Sequence, residues 1–506
     1  MPRTPEQAYD LLIQKTKEHG LLNSCASVLG WDERTYMPRQ GSTWRAEQLA
    51  LLARLAHELR TAPEVGQWLA EVEGSSWLRD AEEVAANVRE LRRGYDRAVK
   101  MPKELVVEIA RVTTRAQQVW QEARQADDYG MFQPWLEKII RLKREEADAV
   151  GYQDCPYDAL LDEYEPGATT AAISRLFAEL RQALVPLVEA LVHAKRQPRT
   201  EVLERHYPIE RQKVFGEAAA AAIGFDFSAG RLDETAHPFC SGIAPGDCRL
   251  TTRYHPHRFS DAFFGTLHEA GHGIYEQGLE ATHFGTPLGS AVSLGIHESQ
   301  SRLWENFVGR GRPFWEHFFP LARGIFHEAL QDVSLDDFVG AINHARPSLI
   351  RVEADEVTYN LHIIARFEME QALLTGDLPV NEVPSAWNDH YRRLLQVTPP
   401  NSRLGCLQDI HWSMGGLGYF PTYTLGNLYA AQFMQAARQQ LGDLDANFRR
   451  GDFRPLQAWL RDQIHRWGQR YRPDVLCQRV TGQPLSPQPL LTYLQDKYGS
   501  LYEWTG

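Results

Sequence analysis

Apolar residues return every three or four positions along most of this chain, the spacing that lines one face of an α-helix. Leu51, Leu52, Leu55 and Leu59 follow it, as do Ile173, Phe177, Leu180, Leu184, Leu187 and Leu191. Pro186 falls inside the second run and predicts a kink or split there. Residues 84–150 are strongly charged with apolar returns, broken at Pro102 and near Gly130, and predict long surface helices. One stretch departs from this rhythm. Residues 236–258 hold Pro238, Gly242, Pro245-Gly246 and the alternating run Cys248 to Tyr254, which predicts a short hairpin or small sheet. Helical spacing then resumes with Phe263, Leu267, Ala270 and Ile274, with Ser260 as the expected cap and Asp261 suited to the positive end of the helix dipole. It continues through Leu303, Trp304 and Phe307, then through Leu349, Ile350, Val352, Ala354, Val357 and Leu361. Gly482 to Pro489 reads as a proline-rich turn, and Leu490 to Trp504 as a closing helix. The fold class is therefore mainly α, with a small sheet just before one helix.

Composition narrows the class. A chain of 506 residues with 43% hydrophobic and 24% charged positions is that of an ordinary soluble globular protein large enough for two lobes. No fixed repeat or low-complexity tract marks an internal boundary, so residues 1–506 are taken as one domain of two helical lobes. A net charge of −12 argues against a general nucleic-acid surface. The stretch 410–437 lacks Asp, Glu, Lys and Arg, but its glycines, Pro421, His411 and hydroxyls predict a buried loop and helix, not a membrane span. The N-terminal residues lack an apolar core of signal-peptide length, and Cys25, Cys155, Cys240, Cys248, Cys406 and Cys477 are scattered without CxxC spacing. A cytoplasmic protein with reduced cysteines is expected.

The chemistry is carried by His268-Glu269-Ala270-Gly271-His272. Histidines four residues apart share a helical face, and the intervening glutamate is placed to act as a base on an activated water, as in zinc peptidases. HExxH alone arises by chance in roughly one chain in twenty of this length and composition, so the neighbouring residues matter. A connection with Gly278, Gly285, Pro287, Gly289 and Gly295 leads to His297-Glu298-Ser299-Gln300, on a helix that can return beside the first. Glu298 is the expected third ligand, leaving a fourth tetrahedral position open; His297 competes for it, since neighbours on a helix differ by about 100°. Gly271 and Gly273 each cost on the order of 1 kcal/mol in a helix, which implies room for a close neighbour or for substrate. The strand before the motif offers an edge on which an extended peptide can be held by main-chain hydrogen bonds.

Further motifs follow in a recognisable order: His237-Pro238-Phe239, Asp247-Cys248-Arg249-Leu250-Thr251, the HExxH run, His297 to Gln300, Ile350 to Glu356, and Gly405-Cys406-Leu407-Gln408-Asp409-Ile410-His411-Trp412. With Trp31 to Pro38 near the start, the chain resembles the carboxypeptidase Taq family of zinc metallocarboxypeptidases over essentially its whole length. The resemblance implies a two-sided helical molecule with a deep central groove, a homodimer, and removal of single residues from peptide C-termini with broad specificity, poor at terminal proline. It also implies Zn²⁺, with Co²⁺ as an alternative.

Within that reading His268, His272 and Glu298 hold the metal and Glu269 is the general base. His411 and Tyr419 are candidate oxyanion donors, with Tyr423 a close rival. The substrate carboxylate calls for an arginine fork, for which Arg351 and then Arg249 are candidates, although each lies near acids that would pair it. Asp355 or Glu356 is a candidate to orient a ligand histidine. The competing readings are a zinc oligopeptidase or peptidyl-dipeptidase and, in another class, a non-catalytic helical scaffold with structural zinc. An aminopeptidase is disfavoured because no GxMEN-like segment is present.

Overall fold

The computed structural model describes residues 3–503, which fall into two compact units. The first is drawn from the chain up to Val99, Arg199–Ile342 and Phe433–Pro484; the second from Lys100–Pro198, Asn343–Gln432 and the chain from Leu485 on. Both are built mainly of helices, and none of the described helices is long and apolar enough to cross a membrane.

The first unit opens with the helix Pro5–Thr35, started by a capping box in which Thr4 and Gln7 satisfy each other's backbone. The next helix, Ser42–Arg60, carries the expected leucines but buries only Ala56 fully; Leu51 and Trp44 stand exposed. The small sheet has three strands, β1 Gly230–Glu234, β2 Cys240–Ala244 and β3 Asp247–Thr252. Their order is β1-β3-β2, with β1 parallel and β2 antiparallel to β3, so the anticipated hairpin is β2–β3 and β1 is an addition to it. β2 is an edge strand whose register shifts between Gly242 and Ala244.

Against this sheet lies the helix Phe259–Gly278, which carries HExxH. Phe263, Leu267, Ala270 and Ile274 are all buried, as their spacing required. Ser260 is not its cap: the N-cap is Arg258 and no side chain caps it, so Ser260 and Asp261 sit in the first turn. The two glycines make room for protein, not substrate. A Cβ on Gly273 would come within 2.6 Å of Phe225 and 2.8 Å of Leu250 on β3. One on Gly271 would lie 2.6 Å from both Gln300 O and Ser301 Cα. That second helix, Leu294–Arg302, starts at Ser293, whose Oγ accepts from Ile296 N at 3.0 Å. It runs on into a π-helical stretch, Leu303–Gly309.

In the second unit the charged region folds as Lys103–Ala126 and Tyr129–Val150; the helix before them, Glu82–Lys100, belongs to the first unit up to Val99. The later break falls at Asp127, in the left-handed conformation, and Asp128; Gly130 lies inside the helix that follows. Pro186 is accommodated within one unbroken helix, Thr170–Val192. The helix expected to start near Leu349 begins only at Tyr359. Asp355 explains the delay: its Oδ1 accepts from Val357 N and Thr358 N, 3.0 Å each, holding a turn just ahead of the helix, while Arg351–Glu353 forms only a short 3₁₀ turn. The uncharged stretch gives the 3₁₀ turn His411–Met414 and the largely buried helix Pro421–Leu441. The closing helix is Gln488–Tyr502; Trp504 lies outside the described residues.

Candidate metal centre

Two helices of the first unit supply the donor atoms. His268 and His272 project from successive turns with ring centroids 5.0 Å apart and near perpendicular. Glu298 reaches across from the second helix: its Oε2 is 3.6 Å from His268 Nε2 and 3.4 Å from His272 Nε2. One ligand atom from each of the three lies within 4.8 Å of the others, the only such His, Cys, Asp and Glu group among the described residues. Two imidazoles and one carboxylate suit a borderline divalent cation and leave further positions for solvent and substrate.

His297 turns elsewhere. Its Nε2 pairs with Glu276 Oε1 at 2.8 Å, and its ring stacks on that of His272 with centroids 4.4 Å apart. Glu269, between the histidines in sequence, is outside the donor group and buried; burial pushes its carboxyl up to about 7. Burial, and then the neighbouring His297, takes His272 down to about 3, so it is a neutral imidazole ready to donate a lone pair.

Around the donors stands an arrangement not anticipated from the motifs. Glu305, on the π-helical stretch, accepts from His268 Nδ1 at 2.9 Å. Arg302 gives its Nε to Glu298 Oε1 at 2.6 Å and its Nη1 to Glu305 Oε2 at 3.4 Å, and Arg310 adds a contact to Glu305 Oε1 at 3.3 Å. Burial alone would raise the Glu305 carboxyl, but the His268 hydrogen bond and Arg302 outweigh it and bring it to about 2. The carboxylate against a candidate ligand histidine is thus that of Glu305. Asp355 is spent on backbone and hydroxyl of Thr358, and Glu356 on Tyr493, Lys497 and Tyr498.

The remaining candidates other than Arg249 belong to the second unit. Arg351 is buried and gives Nε and Nη2 to Asp409 Oδ1 at 3.0 and 2.8 Å, and Nη1 to the Tyr359 hydroxyl at 3.0 Å. Arg366 shares the same aspartate, with Nε 2.7 Å from Oδ2. Gln408 Oε1 accepts from both Arg351 N and Arg366 Nη2, 2.9 Å each. His411 lies beside this cluster, its Nε2 3.3 Å from the Tyr423 hydroxyl and its ring 5.3 Å from that of Tyr419. Burial, then the Arg351 guanidinium, lowers His411 to about 4, which makes it a neutral N–H donor. Behind its loop Glu370 accepts from Tyr157 Oη at 2.6 Å, Trp412 Nε1 at 2.8 Å and Gly418 N at 3.0 Å. Arg249, on β3 of the first unit, is held bidentately by Asp247, 2.8 Å at each contact, and lies over the Trp31 ring.

A pair of histidines one helical turn apart, a glutamate from a second helix and a buried glutamate that lies between the histidines in sequence define a metallopeptidase of the HExxH class. Comparison with known proteins narrows that class. Residues 11–498 match the family described as carboxypeptidase Taq (M32) metallopeptidases, and the chain belongs to that family. It is 50% identical to thermostable carboxypeptidase 1 of Thermus thermophilus over 99% of this chain and 100% of that one, and 39% identical to carboxypeptidase 1 of Bacillus subtilis over 98% of each. Among solved structures, the M32 carboxypeptidase of Deinococcus radiodurans R1 superimposes with a TM-score of 0.95 at 41% identity, covering 98% of this chain and 99% of that one. The protein is a metallocarboxypeptidase, a hydrolase of peptides.

Proposed function

We propose that this enzyme releases single residues from free peptide C-termini with broad specificity, works poorly on terminal proline, and uses zinc, with cobalt as a working substitute. The observation that carries the reading is the grouping of His268, His272 and Glu298 within 4.8 Å, with the non-ligand Glu269 alongside. A divalent cation held by those three would polarise the scissile carbonyl and acidify a water. Glu269 takes the proton of the attacking water and returns it to the leaving nitrogen; a carboxyl held near neutrality by burial suits both tasks. The free outer edge of β2, beside the motif helix, aligns the peptide main chain.

Arg351 anchors the substrate carboxylate. What favours it is that two buried guanidiniums, those of Arg351 and Arg366, share the one carboxylate of Asp409, so an incoming carboxylate would supply a second. Arg249 already has a bidentate partner, which makes it the weaker candidate. Neutral His411 donates to the developing oxyanion, with Tyr419 and the Tyr423 hydroxyl as its neighbours in that task. A homodimer would cover the apolar residues Trp44 and Leu51, which stand 74% and 49% exposed on the helix Ser42–Arg60. The six free cysteines fit a reducing, cytoplasmic setting.

Incubating a defined peptide with zinc-loaded protein and following product masses over time tests the reaction. Stepwise loss of single C-terminal residues is expected. Release of dipeptides or internal cuts would assign the chemistry to a peptidyl-dipeptidase or oligopeptidase instead.

A further inference from the structure

Two cysteines with no part in the chemistry above lie against each other in the sheet that backs the motif helix. Cys240 Sγ and Cys248 Sγ are 3.6 Å apart, at contact distance, and both thiols are free. Cys240 is on the edge strand β2 and only partly covered. Cys248 is on the central strand β3 and buried, its Sγ 3.9 Å from Gly273 O of the motif helix. A cavity of about 1050 Å³ in the first unit gives a route to the buried sulfur, since Cys248, Gly242 and Ile243 line it together with Glu276 of the same helix.

We propose that Cys240 and Cys248 form a redox-responsive dithiol which hydrogen peroxide converts to a disulfide, and that the bond restrains the catalytic sheet and slows turnover. In the reaction the Cys248 thiol, on the strand that lines the cavity, gives up its proton and attacks one oxygen of hydrogen peroxide, breaking the O–O bond to leave a sulfenic acid and water. The Cys240 sulfur then displaces the hydroxyl, which takes the Cys240 proton and leaves as a second water. Two thiols are oxidised to one disulfide and one peroxide is reduced.

The pairing register explains why such a bond would act as a switch. Cys240 lies opposite Leu250 and Cys248 opposite Gly242, so the cysteines are diagonal neighbours across the ladder. Diagonal positions on an antiparallel pair are typically about 7–8 Å apart at the backbone. That is beyond the ~4.4–6.8 Å usual for a disulfide, so closure must move one strand. The strand placed to shift is β2, which pairs with another strand on one side only and has a register irregularity just past Gly242. Its motion reaches the motif helix directly, because a Cβ on Gly242 would already lie 2.4 Å from the Glu276 carboxylate. Strain of this kind makes a disulfide easy to reduce, as a reversible device requires. The thiol contact and burial raise the Cys240 thiol well above its ordinary range, so it enters the second step as a thiol and supplies the proton that the leaving hydroxyl takes.

The effect on turnover rests on the proposed role of β2, but bond formation does not, and the experiment reads them separately. Zinc-loaded protein is exposed to hydrogen peroxide, quenched with catalase, and divided for peptide mapping and for kcat. A Cys240–Cys248 linked peptide is expected, with kcat reduced by up to about a hundredfold, the scale of a ~1 Å misplacement of the reacting groups, and restored by dithiothreitol. Cys240→Ser and Cys248→Ala, each compared with its own untreated rate, should resist the peroxide; two variants cover the case in which one fails to fold. Absence of the linked peptide once Cys25, an exposed thiol, has been consumed overturns the dithiol. A linked peptide with unchanged kcat, or equal inactivation of both variants, overturns the switch while leaving the peptidase reading intact.

Discussion

Glu305 accepts a hydrogen bond from His268 Nδ1 at 2.9 Å while Arg302 bridges Glu305 to Glu298, so a carboxylate outside every recognised motif fixes the orientation of one donor and is tied to another. Partners of this kind set the tautomer and direction of a ligand imidazole. Glu305→Gln is therefore expected to weaken zinc binding by about tenfold to a hundredfold. Competition against a chelator of known affinity measures it; an unchanged dissociation constant would remove Glu305 from that role.

Glu269→Gln should leave metal stoichiometry at that of the parent protein, because Glu269 is not among the three donors. Turnover should fall about a hundredfold to ten-thousandfold, the usual worth of a general base. Metal analysis and kcat on the same preparation decide the matter, and full activity would sink the assignment.

Arg351→Lys keeps a positive charge but loses the planar fork. Cleavage of peptides with a free terminal carboxylate is expected to worsen about tenfold to a hundredfold in kcat/KM, the scale of hydrogen bonds to a charged group. Slow cleavage of the matching C-terminal amides should change far less. Equal losses on acid and amide would hand the carboxylate to Arg249 or elsewhere.

Glu370 gives a pH signature. Burial raises its carboxyl from 4.5 to about 7 despite three hydrogen bonds from Tyr157, Gly418 and Trp412. The folded protein therefore holds this proton more tightly than the unfolded chain. Its contribution to stability is full below pH ~4.5 and is lost as pH rises through about 7, roughly 3 kcal/mol in all. Relative to Glu370→Gln, which does not titrate, the urea midpoint of the parent protein should decline between pH 5 and pH 8. A constant difference between the two proteins would show that the carboxyl is not raised.

Much of this architecture was legible because it is written in spacing. His268 and His272 sit one turn apart, Glu298 follows a glycine-rich return, and Phe263, Leu267, Ala270 and Ile274 line the packed face; each appears in the fold as its spacing required. What escaped was fixed by partners distant in sequence. The side chain of Arg351 is set by Asp409, 58 residues away, and the helix Tyr359–Thr375 starts only after the turn that Asp355 holds. β1 is a parallel strand of five residues, Gly230–Glu234, whose pairing with β3 no local turn announces. Glu305 did carry a signal: Glu298, Arg302 and Glu305 follow at intervals of four and three, one polar face of a helix whose other residues, Leu303, Trp304 and Phe307, are buried.

The close approach at Gly271 bears on how this family of sites tolerates change. With no side chain at that position, the two ligand helices meet backbone to backbone at Gln300 and Ser301, so the span between His272 and Glu298 is set by atomic radii. The fifteen residues that join the helices lie outside that contact. Insertions or deletions there can reshape the enzyme's surface while the donor spacing stays constant, much as a hinge pin holds two plates at one gap whatever is fastened to their edges.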